Sequence, residues 1–92
     1  MSPSVRIPTQ LRTLTSGAGE VNVEGSSVGD VLTALETEYP GFAERLFDDS
    51  GELRRFVNVF LDDEDVRFLN GLTTPVAQTQ TLSIVPAVAG GS

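Results

Sequence analysis

The sequence predicts an α+β domain in which one main helix packs across a mixed sheet of about four to five strands, followed by a flexible C-terminal tail. Several short segments alternate apolar and polar residues, one longer segment has apolar residues at helical spacing, and the chain ends in "VPAVAGGS". A chain of 92 residues suits one domain, since single domains usually contain about 50 to 250 residues. We expect the folded domain to span residues 1–85 and the tail to span 86–92.

Two short alternating segments open the chain. "SVRIP" places Val5 and Ile7 on one face, and "VNVEG" does the same with Val21 and Val23. This period of two is typical of half-buried strands, and the intervening "TSGAGE" has the composition of a turn. We therefore predict an opening β-hairpin, whose long loop leaves the strand register open.

The segment "SSVGDVLTALETEYP" predicts the main helix, because its apolar residues recur at helical spacing. The apolar stripe consists of Val28, Val31, Leu32, Leu35 and Tyr39. Ser27 suits the N-cap, Asp30 falls in the first turn, where acidic residues are favoured, and Pro40 ends the helix. Gly29 lowers helix propensity, and a close approach to the sheet would explain its presence.

The second half of the chain predicts a short helix and three strands. "FAERLF" has the spacing of a helical turn that presents Phe42, Leu46 and Phe47. The strongest strand is "LRRFVNVFLDD". Its two faces consist of Val57, Val59 and Leu61 on one side and Phe56, Asn58 and Phe60 on the other. "VRFL" and "TLSIV" predict two further strands, and the polar "NGLTTPVAQTQ" between them predicts a crossing.

The order of these elements is that of the β-grasp, or ubiquitin-like, arrangement. In that fold the last strand runs parallel to the first in the middle of the sheet. One helix over one sheet is also the least that a chain this short needs to cover an apolar sheet face. A ferredoxin-like fold would need a second full helix late in the chain, where the sequence is polar and interrupted by Gly71 and Pro75.

Composition excludes several classes of function. Six arginines and no lysines stand against 13 acidic residues, and the resulting net charge of −7 repels nucleic acid and favours partners with a basic docking surface. The absence of histidine and cysteine excludes histidine-based metal sites, catalytic triads and disulfides. No apolar run approaches the roughly 20 residues that a membrane span needs.

The run Asp62, Asp63, Glu64 and Asp65 is the one dense cluster of carboxyl groups. Calcium-binding loops need spaced ligands and a glycine, and this run has neither. We therefore interpret it as a solvated turn that can dock a basic partner, and we predict no metal site.

Three stretches, "RFVNVFLDDEDVRF", "LNGLTTPV" and "LSIVPAVAGG", together with the β-grasp order, resemble the ubiquitin-like sulfur carriers of the ThiS and MoaD family. The resemblance covers nearly the whole chain, and its most specific parts are the strand–acidic turn–strand segment and the tail. It implies a carrier that is not an enzyme and has no catalytic residues. It also implies no bound cofactor, since ATP is used by a partner.

The resemblance implies that an E1-like enzyme adenylates the carboxylate of Gly91 and that sulfur then replaces AMP to leave a thiocarboxylate. The residues that would thread the partner's active site are Pro86, Ala87, Val88, Ala89, Gly90 and Gly91. Glycines suit a narrow channel because they lack side chains, and Pro86 should end strand pairing because it lacks an amide donor.

The stretches quoted look most like those of family members that supply sulfur for cysteine synthesis. A second implied partner is therefore a PLP-dependent cysteine synthase, with thiamin, molybdopterin and thiosugar pathways as alternatives, and the implied location is cytoplasmic. The outer sheet face of Phe56, Asn58 and Phe60 is a candidate docking site for the activating enzyme. The alternative is that Phe56 or Phe60 packs under the Phe42–Phe47 segment, since alternation does not say which face is wet.

Ser92 departs from the family pattern, because members ready for activation end at the second glycine. With Gly91 in an amide bond to Ser92, this chain should not be adenylated at Gly91. Either Ser92 is a native extension trimmed by a JAMM-type metallopeptidase, or it was added by cloning or as a deliberate block, or carrier function has been lost. We favour the first two explanations.

A second class of function is a non-catalytic ubiquitin-like interaction module or protein modifier. The chain has no lysine, so it cannot build polymers through its own lysine side chains. It could still be conjugated to other proteins.

Overall fold

The computed structural model describes residues 2–86 and shows a five-stranded mixed sheet crossed by one main helix. The strands are β1 (Ser4–Arg6), β2 (Glu20–Asn22), β3 (Val57–Leu61), β4 (Glu64–Asp65) and β5 (Thr81–Pro86). The helices are α1 (Val28–Glu38) and α2 (Phe42–Leu46). The predicted β-grasp fold is confirmed. Residues 87–92, which hold most of the predicted tail, lie outside the described part of the chain.

The last strand occupies the middle of the sheet, as the β-grasp order requires. The strand order is β2-β1-β5-β3-β4. β5 pairs in parallel with β1, from Ser4 opposite Thr81, and antiparallel with β3, from Val57 opposite Pro86 to Leu61 opposite Leu82. Two strands distant in sequence are therefore joined through the C-terminal one.

The opening hairpin is confirmed, and its long connection has structure of its own. Val5 pairs with Val21, so the apolar residues of both strands face the helix. A 3₁₀ helix (Thr9–Thr15) fills most of the connection and buries Leu11. The Thr15 hydroxyl lies 2.7 Å from the Ala18 carbonyl oxygen, to which it can donate. This contact closes the turn that returns the chain to β2.

The main helix begins at the predicted cap. The Ser27 side chain accepts from the backbone N–H of Asp30 at 3.2 Å, and helix α1 ends one residue before Tyr39. Four of the five predicted stripe residues are fully buried, namely Val28, Val31, Leu32 and Leu35, and Tyr39 packs at the edge of the core.

The predicted reason for Gly29 was wrong. A Cβ at Gly29 would lie 3.2 Å from the carbonyl oxygen of Leu72, which belongs to a 3₁₀ turn (Gly71–Thr73) and not to the sheet. The polar crossing contains this turn, and the N–H of Val28 donates to the carbonyl oxygen of Thr74 at 2.9 Å. The close approach therefore joins the start of helix α1 to the crossing.

The strand predicted in "VRFL" was also wrong. Strand β4 contains only Glu64 and Asp65, and Val66–Phe68 forms a 3₁₀ turn. The Asp65 carboxylate accepts from the backbone N–H of Arg67 at 2.8 Å. Because the backbone N–H of Arg67 bonds this side chain, it does not pair with β3, and the chain turns out of the sheet. Val66 enters the core while the residues after it remain exposed.

The core lies between the inner sheet face and the two helices. The short helix predicted in "FAERLF" is present as α2, and its Phe42 and Leu46 are fully buried in the core. The inner face of β3 contributes Val57, Val59 and Leu61. The side chain of Glu36 accepts from the backbone N–H groups of Gly41 and Ala43 at 3.1 and 2.7 Å, which ties the two helices together.

Candidate functional site

The root of the predicted tail lies at one end of the sheet. Strand β5 runs to Pro86, which is the partner of Val57 at the start of β3. The predicted reactive residue Gly91, its neighbours Ala87, Val88, Ala89 and Gly90, and Ser92 all lie outside the described residues. What the structure establishes is the position of Pro86, the first residue of the predicted tail, which pairs with Val57 at the start of β3.

The structure shows which face of β3 is exposed to solvent. Val57, Val59 and Leu61 are buried against the helices, whereas Asn58 and Phe60 are half-buried on the outer face. Phe56, just before the strand, is 67% exposed and therefore does not pack under the Phe42–Phe47 segment. The candidate docking residues thus lie on the side of the sheet away from the main helix.

Three more apolar side chains are exposed, Val85 beside the tail root and Phe68 and Leu69 in the turn that follows β4, and sequence reasoning did not place them in this site. Phe68 is 85% exposed, Leu69 38% and Val85 44%. Val85 is the partner of Asn58 across β5 and β3. We call the set Phe56, Asn58, Arg67, Phe68, Leu69 and Val85 the tail-root surface.

Phe68 and Leu69 were missed because "VRFL" has the alternation of a strand. Alternation placed Val66 and Phe68 on one face, yet Val66 is fully buried and Phe68 is almost fully exposed. A 3₁₀ turn has three residues per turn, which points these two side chains in different directions. The available signal was Asp65, since aspartate favours local capping of a turn over continuation of a strand.

Arg67 joins this turn to strand β3. Its Nη1 donates to Asn58 Oδ1 at 3.0 Å, and its Nη2 donates to the Arg54 carbonyl oxygen at 2.7 Å. That same carbonyl accepts from the N–H of Val57 at 3.0 Å. The side chain of Arg67 therefore ties the 3₁₀ turn Val66–Phe68 to the start of β3.

The connection between α2 and β3 contains a carboxylate held by several hydrogen bonds. The Asp48 carboxylate oxygen Oδ1 accepts from the Ser50 hydroxyl at 2.7 Å and from the N–H groups of Ser50 and Glu52. These hydrogen bonds, the Ser50 hydroxyl first, hold the pKa of Asp48 below its usual value, and Arg54 adds to the effect. Asp48 is therefore ionised at neutral pH.

The first two residues of the acidic run, Asp62 and Asp63, form the hairpin turn at the opposite end of β3, and Glu64 and Asp65 form β4. Asp62, at φ 56°, accepts from the N–H of Thr81 and from the Gln80 side chain, both at 3.1 Å. Asp62, Asp63 and Glu64 are exposed. Within residues 2–86, no three acidic side chains are grouped in a way that could hold a metal ion. The predicted solvated turn is therefore confined to Asp62 and Asp63, and the Asp62 carboxylate fixes the start of β5.

None of the helices within the described part of the chain combines the length and the apolar character that crossing a bilayer requires. The longest, α1, has 11 residues.

The fold defines a ubiquitin-like β-grasp domain whose central strand, β5, ends the described part of the chain at Pro86. Comparison with known proteins gives the family. A model of the ThiS family matches residues 5–91, so the chain belongs to the ThiS family. It is a small sulfur carrier protein of the CysO type and is not itself an enzyme, as predicted.

The relatives are similar over their whole length. The sulfur carrier protein CysO of Mycobacterium tuberculosis (strain H37Rv) is 48% identical over 93 residues, which cover 99% of this chain and 100% of that protein. A chain in the crystal structure of the Amycolatopsis orientalis BexX/CysO complex superposes with a TM-score of 0.91 at 43% identity, covering 98% of this chain and 100% of that one. The crystal structure of M. tuberculosis CysO gives a TM-score of 0.87 at 47% identity, covering 92% and 98%.

Proposed function

We propose that this protein carries sulfur as a thiocarboxylate on Gly91, formed after Ser92 has been removed. Three findings support the proposal: membership of the ThiS family, the full-length similarity to CysO, and the position of the tail root. The last is the structural observation that carries it. Pro86 is the last residue of the central strand, and a run of five residues, the number from 87 to Gly91, has a fully extended length of about 17 Å.

The chemistry needs an activating partner because a carboxylate is a poor electrophile. In the proposed sequence, a carboxylate oxygen of Gly91 attacks the α-phosphorus of ATP and pyrophosphate leaves. Hydrosulfide supplied by a donor then attacks the acyl carbon, the bond to the AMP oxygen breaks, and AMP leaves, so that the thiocarboxylate remains with loss of a proton. The partner enzyme, of the E1-like class, supplies positioning and charge stabilisation. The carrier supplies the acyl group and a surface that brings the enzyme to it.

The sulfur acceptor we propose is a PLP-dependent cysteine synthase in the cytoplasm. The CysO relatives favour cysteine over the thiamin, molybdopterin and thiosugar alternatives. A JAMM-type peptidase is the proposed partner that removes Ser92. A CysO protein has been crystallised in complex with BexX, so a carrier of this shape forms a complex stable enough to crystallise.

The test compares the 92-residue chain with a chain ending at Gly91. Each is incubated with the activating enzyme of the native host, ATP and a sulfur donor, and its intact mass is measured. We expect only the shorter chain to gain the mass difference between sulfur and oxygen, because only it has a free Gly91 carboxylate. Activation at Gly91 with Ser92 still attached would contradict the proposal, as would an unreactive shorter chain.

A second candidate function, protein modification, is favoured by one comparison. Small archaeal modifier protein 3 of Haloferax volcanii is 43% identical over 68 residues, which cover 74% of this chain and 73% of that protein. Intact mass of the protein recovered from its native host separates the two functions. Loss of serine with sulfur in place of oxygen supports the carrier, whereas isopeptide-linked adducts on other proteins support the modifier.

A further inference from the structure

Asn70 differs from the other asparagines of the chain in the residue that follows it. The chain has three asparagines, and Asn22 and Asn58 are each followed by a valine, whereas Asn70 is followed by Gly71. A branched side chain shields the backbone nitrogen of its own residue, and glycine has no side chain to do so. Asn70 is also exposed to solvent. Its side-chain amide is therefore the one most open to attack by the backbone nitrogen that follows.

Hydrogen bonds hold the side-chain amides of the other two asparagines. Asn22 Nδ2 donates to the Ser4 hydroxyl at 3.1 Å, and Asn58 Oδ1 accepts from Arg67 Nη1 at 3.0 Å. The hydrogen bonds that Asn70 makes with other side chains use its backbone N–H and carbonyl oxygen. Its own side-chain amide bonds no residue in the described part of the chain, so it is free to turn toward the next nitrogen.

The backbone of Asn70, in contrast, is fixed by the 3₁₀ turn Gly71–Thr73. Its N–H donates to Thr74 Oγ1 at 2.9 Å, and its carbonyl oxygen accepts from the Thr73 hydroxyl at 2.8 Å and from the Thr73 N–H at 3.2 Å. Asn70 has a ψ of 22°, which keeps the nitrogen of Gly71 turned away from the Asn70 side chain. These two atoms can meet only after rotation about the Asn70 Cα–C bond, which breaks both bonds from Thr73.

We propose that Asn70 is a modification site, at which the side chain deamidates through a succinimide at a rate set by opening of this turn. The Gly71 nitrogen attacks Asn70 Cγ, the Cγ–Nδ2 bond breaks, and ammonia leaves with the proton of the Gly71 nitrogen. Water then opens the ring at one of its two carbonyl carbons. Opening at Cγ leaves aspartate, and opening at the backbone carbonyl carbon leaves isoaspartate, in which the main chain runs through Cβ and Cγ.

Isoaspartate disturbs the junction between this turn and helix α1, because it lengthens the main chain by one methylene group. A Cβ at Gly29 would lie only 3.2 Å from the Leu72 carbonyl oxygen. The Thr74 carbonyl oxygen accepts from the N–H of Val28 at 2.9 Å, and Thr74 is buried. The turn therefore has little room to shift without breaking the bond to Val28. Either product also adds a carboxylate to a chain whose net charge is already −7.

The experiment incubates the whole protein in neutral buffer at physiological temperature and follows each asparagine by peptide mass. Cleavage after arginine separates the three, because Arg45 lies between Asn22 and Asn58 and Arg67 lies between Asn58 and Asn70. We expect the peptide that contains Asn70 to gain the mass difference between a hydroxyl and an amino group, in two products that elute separately. The other two peptides are internal controls and should stay unchanged.

Thr73→Val tests the part played by the turn. The substitution removes the hydroxyl that donates to the Asn70 carbonyl oxygen and keeps the branched shape of the side chain, and Thr73 is exposed. We expect the rate constant for loss of Asn70 to rise about fivefold, the effect of losing one hydrogen bond. Thr79→Val is the matched control, because Thr79 is an exposed threonine outside the turn, and its rate constant should equal that of the wild type.

Thermal unfolding shows whether Thr73→Val keeps the fold. If it does not, the wild type in concentrated urea decides in its place, since Asn70 should be lost faster there than in the native protein. An intact Asn70 peptide, or equal loss at Asn58, overturns the modification site. An unchanged rate constant in folded Thr73→Val, or equal rates with and without urea, overturns control by the turn. Each of these outcomes leaves the proposed sulfur transfer standing.

Discussion

At the scale of single residues, contacts with the backbone restrict which side chains the chain can carry. Gly25 shows this near the start of α1. A Cβ at Gly25 would lie 2.7 Å from the backbone nitrogen of Val31 and 2.7 Å from its Cγ2, closer than packed atoms allow. Gly29, four residues later, would place its Cβ no closer than 3.2 Å to Leu72. The chain therefore needs glycine at 25 for steric reasons.

We predict that Gly25→Ala lowers the free energy of unfolding by about 2 kcal/mol, because the added methyl group overpacks a rigid backbone. The matched control is Gly29→Ala, for which the gain in helix propensity, about 1 kcal/mol, offsets a much milder contact. Urea denaturation of both variants measures the difference. Equal stability of Gly25→Ala and the wild type would contradict the predicted clash.

At the scale of elements, β5 holds the sheet together. It is paired on both sides, in parallel with β1 and antiparallel with β3, whereas β2 and β4 are edge strands. Leu82 and Ile84 are buried on its inner face. If β5 unpairs from its neighbours, the hairpin of β1 and β2 separates from the hairpin of β3 and β4. Loss of β5 therefore amounts to global unfolding.

We predict that the amide protons of β5 that bond to β1 and β3 exchange more slowly with solvent than any in β2. Exchange from a central strand requires global opening, whereas a short edge strand opens locally at a lower free energy. Amide exchange followed by NMR measures the ranking. Slower exchange in Glu20–Asn22 than in Thr81–Pro86 would contradict it.

At the scale of the whole molecule, the core and the proposed reactive group are separated along the chain. The buried apolar residues of the described part run from Val5 to Ile84, and the proposed reactive carbon is at Gly91. In the proposed function several enzymes act on the C-terminus, and this separation along the chain would let them do so without disturbing the core. The predicted boundary between residues 1–85 and 86–92 stays a prediction, and it can be tested by truncation.

Removal of residues 87–92 should change the free energy of unfolding by less than about 0.5 kcal/mol, as for most changes outside a core. Leu82→Ala, within the core, should cost about 2–5 kcal/mol and serves as the comparison. Thermal or urea unfolding of both proteins gives the values. A truncated chain destabilised as much as Leu82→Ala would show that the domain extends into the predicted tail.

Much of the fold could be predicted because its signals are local. The N-cap at Ser27, the buried stripe of α1 and the alternation of β3 each depend on neighbours within a few residues, and each is found as predicted. The site was predicted less completely. Phe56, Asn58 and Phe60 were chosen from one strand, whereas the exposed Phe68 and Leu69 belong to a turn that resembles a strand in sequence.

By itself, the sequence determined the β-grasp order, the apolar faces of its elements, the family resemblance and the glycine-rich tail, because periodicity, turn residues and motifs are written in consecutive positions. Only the tertiary structure decided which face of β3 meets solvent, why Gly25 and Gly29 are glycines, and that Arg67 stands beside the tail root. The physical reason is that these features depend on contacts between separated segments. Arg67 bonds residues that are 9 and 13 positions away, and no local pattern records such pairings.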